Sequence, residues 1–253
     1  MKRLTILLTA ACLTVLFATT SVWAAKVTKD VEKNTIFNSG TLVINSTKGN
    51  IQVSCSEGDE VTVLANIEVK AKDKAFLEAF TKEVDLIFEQ NGDQLIVKPD
   101  YPNLKKGDMF QQWKVGGKAP EVDVQYTVVV PRGLNVSAKS EKGDIEIDRV
   151  CGAVKAQSKN GSIVAKIQQI QPDCKQDYQS MNGTVKVYMS RNTEANVNIN
   201  TLNGQIHSEF PPVSDGYYSS TAMKVQVNGG GQNVNLKTYN GSIYLFKSMS
   251  TIG

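Results

Sequence analysis

A short phrase recurs six times in this chain: a polar residue, a glycine, one further residue, then Ile or Val. It reads Lys48-Gly49-Asn50-Ile51, Lys142-Gly143-Asp144-Ile145, Asn160-Gly161-Ser162-Ile163, Asn182-Gly183-Thr184-Val185, Asn203-Gly204-Gln205-Ile206 and Asn240-Gly241-Ser242-Ile243. From Gly143 to Gly204 the glycines stand 18, 22 and 21 residues apart, and the next gap, to Gly241, is 37. A period near twenty marks a stacked or coiled β architecture. The flanks have period two. Val154, Ala156 and Ser158 alternate with Lys155, Gln157 and Lys159 before Gly161, and Ile163, Ala165 and Ile167 alternate after it. The same holds for Val197, Ile199 and Thr201 before Gly204, and for Val234, Leu236 and Thr238 before Gly241. Alternation on both sides of Asn-Gly reads strand, turn, strand, with glycine supplying a positive φ at the corner. Hairpins would turn the chain back at each glycine, whereas a solenoid would use it as a corner and stack coils in parallel. The near-constant spacing favours an all-β solenoid with two short strands per coil. Asn, Ser and Thr beside the corners are placed to form ladders between coils.

The N-terminus carries Lys2 and Arg3, an apolar stretch from Leu4 to Ala18, and small residues ending Val22-Trp23-Ala24-Ala25. That order is the pattern of a secretory signal peptide cut after Ala24; an uncleaved anchor is the rival, because the apolar run is near the lower limit for a span. Thr9-Ala10-Ala11-Cys12 imitates a lipoprotein box but has too few apolar residues before it. No later segment is apolar enough to cross a bilayer, so the expected destination is the periplasm or the cell surface. Removing Lys2 and Arg3 leaves 26 basic against 25 acidic residues, too balanced for nucleic-acid binding.

Three cysteines follow the expected cleavage point: Cys55, Cys151 and Cys174. An exported chain is expected to pair two of them. Cys151 and Cys174 bracket one repeat, and their bridge would stabilise the fold by roughly 3 kcal/mol in the chain-entropy model. Cys55 is then a buried thiol or an intermolecular partner. With no Cys-x-x-Cys and a single histidine, a metal site is a weak alternative.

Before the repeats, residues 25–130 read as an N-terminal β region. Within it, Ala75, Phe76, Ala79 and Phe80 recur at helical spacing behind Asp73, predicting a short helix over 73–82 docked by Phe76 and Phe80. Asn91-Gly92-Asp93 then predicts a hairpin. Residues 131–247 form the repeat region, continuous with what precedes it, and 248–253 a frayed tail. Pro99 to Pro120 breaks the pattern and carries Tyr101, Met109, Phe110 and Trp113; a second loop after Gly204 carries Tyr217 and Tyr218. Tyr101, Phe110, Trp113, Tyr217 and Tyr218 are therefore candidate contacts to a glycan or protein partner. Aromatics folded back over the end of the core are the commoner outcome.

Asn45-Ser46-Thr47-Lys48-Gly49-Asn50-Ile51, then Glu57-Gly58-Asp59-Glu60-Val61, the mid-chain Val128-Val129-Val130-Pro131-Arg132-Gly133-Leu134 and the serial Asn-Gly-Ser-Ile turns follow one another in a fixed order. That succession resembles the bacterial β-strand-repeat "putative adhesin" family over about residues 36–247. The resemblance implies an exported or envelope-associated solenoid-like domain without known catalysis, cofactor or site residues.

Catalytic patterns are sparse. A Ser-His-Asp triad would need His207, the single histidine, and there is no Gly-x-Ser-x-Gly elbow. Asp144, Glu146 and Asp148 share one face of a strand, a row that polysaccharide-cleaving β-helices use, but Lys139, Lys142 and Arg149 stand near enough to neutralise it. Phosphate loop, dinucleotide and zinc spacings do not appear. The residues thus point to a non-catalytic envelope protein that presents a surface for adhesion, partner binding or envelope sensing. A carbohydrate-active enzyme on a β-helix is the alternative, and self-association through open solenoid ends is a third outcome.

Overall fold

The computed structural model of the chain describes residues 25–71, 74–101, 120–213 and 219–248. The expected leader and the 102–119 insert lie outside them. The described residues form two nine-stranded sheets packed face to face around one aliphatic interior.

Each coil contributes one strand to each sheet, with a glycine corner between. Preceded by β1 (Ala25–Ile36), the first coil is β2 (Thr41–Ser46) and β3 (Ile51–Ser56). Next come β4 (Glu60–Ala71), the helix α1 (Lys74–Glu83), the hairpin β5 (Asp85–Asn91) and β6 (Gln94–Asp100), and β7 (Glu121–Pro131). The repeats then run as β8 (Asn135–Lys142) with β9 (Ile145–Asp148), β10 (Val154–Asn160) with β11 (Ile163–Ile167), and β12 (Gln176–Asn182) with β13 (Val185–Ser190). After them come β14 (Ala195–Asn203), β15 (Ile206–Ser208), β16 (Ala222–Val227), β17 (Gln232–Asn240) and β18 (Ile243–Ser248). One sheet, here sheet A, has the order β1-β4-β7-β3-β9-β11-β13-β18-β15; sheet B has β16-β14-β17-β12-β10-β8-β2-β6-β5.

Neighbouring coils are parallel and in register, as the solenoid reading expects. Ile51, Ile145, Ile163, Val185, Ile243 and Ile206 form one row across sheet A. Facing it, Ala138, Ala156, Tyr178, Leu236 and Ile199 form a row across sheet B. All but Ile206 are buried, so one face of every repeat strand is withdrawn from water, which is what makes this register strongly specified. The buried polar pair in this interior is satisfied: the Tyr178 hydroxyl donates to Gln176 Oε1 at 2.8 Å, and Gln176 Nε2 donates to the Gly152 carbonyl at 2.7 Å.

The corners explain the recurrent phrase. Gly49 has φ +117, as expected, but Gly161, Gly183 and Gly204 are outside the left-handed region. There the glycine is required by stacking. A Cβ on Gly161 would stand 2.1 Å from the Gly143 carbonyl oxygen, one on Gly183 2.2 Å from that of Gly161, and one on Gly204 1.9 Å from that of Gly241. Buried hydroxyls cross the same joints: Ser180 Oγ donates to Gly161 O, Thr238 Oγ1 to Gly183 O and Thr201 Oγ1 to Gly241 O, each at 2.9 Å. Outside them runs an amide ladder in which Asn182 donates to Asn160 at 2.9 Å, Asn240 to Asn182 at 2.7 Å and Asn203 to Asn240 at 2.9 Å.

That ladder also corrects the expected order of coils. The coil β17–β18 sits between β12–β13 and β14–β15, ahead of a coil that precedes it in sequence. After β15 the chain moves out, returns as β16 antiparallel to β14, and wraps around the start of β14 through Gly229-Gly230-Gly231. The wrap is tight: a Cβ on Gly231 would lie 2.5 Å from the Glu194 carbonyl oxygen. Beyond that turn β17 pairs in parallel with both β12 and β14. The 37-residue spacing records this excursion.

At the other end the antiparallel strands β1, β4 and β7 extend sheet A, and the β5–β6 hairpin extends sheet B. The helix occupies Lys74–Glu83, one residue later than the predicted bounds, and buries Leu77 and Phe80. Its last turn is closed from β1, where Lys29 Nζ donates to the carbonyls of Lys82 at 3.0 Å and Val84 at 2.6 Å. A cation there complements the helix dipole.

Candidate binding surface

Alternation that buries Val185, Val187, Ile243 and Leu245 turns their neighbours onto the outer face of sheet A. Parallel register then places Tyr188 opposite Phe246, and His207 opposite Tyr244. The four rings form a continuous row. Tyr188 and Phe246 have centroids 5.2 Å apart, Phe246 and Tyr244 5.8 Å, and Tyr244 and His207 4.8 Å, with interplanar angles of 26°, 15° and 10°. Adjacent strands lie about 4.8 Å apart, so the sheet itself holds the cross-strand pairs at stacking distance. Each such pair stabilises by about 0.5–1.5 kcal/mol beyond its buried area, and each ring restricts its neighbour's rotamers. The outcome is a stiff aromatic ridge on three strands.

His207, exposed on the short edge strand β15, ends the ridge. There the ridge runs into a groove of about 690 Å³ lined by His207, Glu209, Phe210, Pro212, Met223 and Phe246. The groove wall is fixed: the Lys247 N–H donates to Glu209 Oε2 at 2.6 Å, and Lys247 Nζ lies 5.2 Å from the Phe210 ring centre. A second exposed apolar row lies at the corner of sheet B, where Met181, Tyr239 and Leu202 precede the laddered asparagines and are 44%, 42% and 65% exposed.

Farther along sheet A the outer face is charged and paired. Lys166 Nζ meets Glu146 at 3.0 Å, and Arg149 meets Asp148 at 3.3 Å. Hydrogen bonding to Glu146 raises the Lys166 ammonium above its ordinary range, with burial opposing. Asp144 belongs to the corner, where its Oδ1 accepts from the Ser162 N–H at 2.7 Å. The three acids therefore have structural partners, and the cation on Glu146 is Lys166 rather than Lys139 or Lys142.

Of the candidate aromatics, Tyr101 is packed. It stacks on Phe80 at 6.1 Å against the core, and burial pushes its hydroxyl up to about 12. Phe110, Trp113, Tyr217 and Tyr218 lie outside the described residues. Cys55, Cys151 and Cys174 are free thiols, so the expected Cys151–Cys174 bridge is not formed here. The sequence reading passed over Tyr188, Tyr244 and Phe246. Each occupies an outward position of its strand, but only the cross-strand register brings them together.

Residues 121–245, from β7 through the first half of β18, match the family model Toastrack DUF4097. Over that segment, just under half of its length, the chain is similar to the Toastrack family. Its fold is shared with the solved structure of a putative cell adhesion protein from Clostridium sporogenes ATCC 15579, which superposes with a TM-score of 0.56 at 14% identity, over 88% of this chain and 100% of that one. Looser matches are a putative adhesin from Bacteroides fragilis NCTC 9343, with 10% identity, a TM-score of 0.28 and coverage of 87% and 97%, and a putative lipid binding protein from Parabacteroides distasonis ATCC 8503, with 9% identity, a TM-score of 0.21 and coverage of 88% and 97%. No protein of curated function matches the sequence. No helix among the described residues is long and apolar enough to cross a membrane.

Proposed function

We propose that this protein is an exported, non-catalytic component of the bacterial cell envelope that presents the outer face of sheet A to a protein or glycan partner, in adhesion or envelope sensing. One observation carries the reading: four outward rings, Tyr188, Phe246, Tyr244 and His207, are locked in a row that ends in a groove. Water-facing aromatics fixed by a rigid scaffold supply contact area with little entropy left to lose on binding. Export rests on the charged, apolar and small-residue order of positions 1–25. Within the Asp144, Glu146 and Asp148 row, Glu146 and Asp148 each hold a cation, which favours a structural over an acid–base role for that row.

The test is retention of immobilised protein by bacterial envelope fractions and by a glycan panel, with the Tyr188→Ala/Tyr244→Ala/Phe246→Ala variant alongside. Retention of the parent and at least a tenfold loss in the folded variant are expected. A variant retained as well as the parent would remove the ridge from the argument. New reducing ends released from the glycans, and abolished by Asp144→Asn, would replace binding by carbohydrate cleavage.

A further inference from the structure

A second cleft, of about 660 Å³, lies at the C-terminal ends of the sheet A strands. Cys55 and Cys151 both line it, with Glu57, Arg132, Arg149 and Gln169 among its other walls. Strands β3 and β9 are adjacent and parallel, and their last registered pair is Ser54 with Asp148. Cys55 follows Ser54 directly. Past Asp148 the chain turns through Arg149, whose φ of 57° is left-handed. That turn keeps Cys151 at the same cleft, with its Sγ 3.6 Å from the Arg149 carbonyl oxygen. Cys174 does not line the cleft. It sits on the next loop, where the Gln171 N–H donates to Cys151 O at 3.0 Å and the Cys174 N–H to Gln171 O at 3.2 Å, and its thiol also lies within electrostatic reach of Cys151.

We propose that Cys55 and Cys151 are the redox-active pair of this protein, closing a disulfide across the cleft by exchange with an external disulfide, while Cys174 stays a thiol. Neighbouring strands lie about 4.8 Å apart; Cys55 stands one residue and Cys151 three residues past the last registered pair, so the turn at Arg149 has to bring their Cα atoms within the about 4.4–6.8 Å that a disulfide needs. Cys151 is the entry point, because its sulfur is the more open of the two: its contact is exposed, whereas that of Cys55 is part-buried. Burial first, and the charge of Cys151 second, hold the Cys55 thiol above its ordinary range, so Cys55 is the slower attacker on a solution disulfide. The Cys151 thiolate attacks one sulfur of the external disulfide, RSSR, breaking its S–S bond, releasing RS⁻ and forming a mixed disulfide. The Cys55 thiolate then attacks the Cys151 sulfur and expels the second RS⁻. Two cysteine thiols and RSSR give one cystine and two RSH. The two thiol protons pass to the leaving thiolates, and the two electrons lost by the cysteines reduce RSSR.

Trypsin separates the three cysteines. Cys55 falls in the peptide 49–70, Cys151 in 150–155 and Cys174 in 167–175. The reduced chain is incubated with oxidised glutathione, alkylated and digested without reductant for mass spectrometry. A 49–70/150–155 cross-link is expected, with Cys174 alkylated. In Cys55→Ser, glutathione should remain on Cys151; in Cys174→Ser, the cross-link should form at the parent's rate. A 150–155/167–175 cross-link in the parent, or three alkylated cysteines after prolonged oxidation, would overturn the assignment.

Discussion

Placing an alanine at Gly183 separates two explanations of the recurrent glycine. Gly183 lies outside the left-handed region, so on backbone conformation alone Ala would be tolerated there, and the unfolded chain's lost freedom would stabilise by about 0.4–1 kcal/mol. The packing argues the reverse. An ideal Cβ meets Gly161 O at 2.2 Å, Gly161 C at 2.6 Å and Ser180 Oγ at 2.9 Å, where ordinary contact begins at 3.4 Å. Relief requires the two coils to part by about 1 Å at a joint crossed by the bonds Gly161 N–H to Asn182 O, 3.1 Å, Ile163 N–H to Thr184 O, 2.9 Å, Ser180 Oγ to Gly161 O, 2.9 Å, and Asn182 Nδ2 to Asn160 Oδ1, 2.9 Å. At about 1 kcal/mol net for each bond lost, three or four give a loss of about 3–4 kcal/mol. In a chain of this size that is a fall of about 10 °C in Tm. Gly92 is the comparison: its φ is +60 and nothing lies within 4 Å of its Cβ position. Ala there should cost about 1–2 kcal/mol, the left-handed penalty alone. Gly58, with only Ser56 Oγ at 3.7 Å, is the near-neutral control. Thermal and urea unfolding followed by circular dichroism would rank the three. Gly183→Ala within about 0.5 kcal/mol of the parent, or Gly92→Ala the worst of the set, would refute the steric account.

Other expectations follow from the same joints and from the ends of the sheets. Asn240→Ala removes two rungs of the amide ladder, those to Asn182 at 2.7 Å and from Asn203 at 2.9 Å; a loss of about 1–2 kcal/mol in urea titrations is expected. Thr238→Val should cost about 1–2 kcal/mol, because its buried hydroxyl is the donor to Gly183 O. Glu68 supplies a pH signature. Hydrogen bonds from Lys26 first and Lys70 second hold its carboxyl below the ordinary 4.5. A depressed carboxylate stabilises the fold fully above its unfolded value, and that share is lost as pH falls through the lowered folded value. Stability measured from pH 6 to pH 3 should therefore drop on acidification, and Glu68→Gln should be less stable at pH 6 but show a shallower drop. An unchanged slope in the variant would remove Glu68 from the acid response.

Much of the architecture is legible because its causes are local. Period two around Asn160-Gly161 and Asn182-Gly183 encodes strand and corner, and Asn91-Gly92-Asp93 encodes the β5–β6 hairpin, whose Asn91 pairs with Gln94. Coil order is not local. Asn203-Gly204-Gln205-Ile206 and Asn240-Gly241-Ser242-Ile243 carry nearly the same phrase, and either could continue the ladder from Asn182. The choice is made by β16, which lies along the outside of β14 and leaves β17 to enter on the inside. The aromatic ridge was hidden for the same reason: Phe246 reaches Tyr188, and Tyr244 reaches His207, only because β18 stands between β13 and β15. Chemical attention drawn to loop aromatics such as Tyr101 met a residue already committed to packing.

The wedged position of β17–β18 has a consequence for synthesis and repair. A solenoid laid down in sequence order can grow or fray one layer at a time from its free end. Here residues 195–208 leave the ribosome before the layer that must separate them from residues 176–190. The nascent chain must either hold an open slot or form a provisional contact and surrender it when residues 232–248 arrive. Such a keystone makes maturation of this half slow and long-range, and it makes the finished wall hard to unzip, since withdrawing the keystone breaks a joint on each of its sides at once.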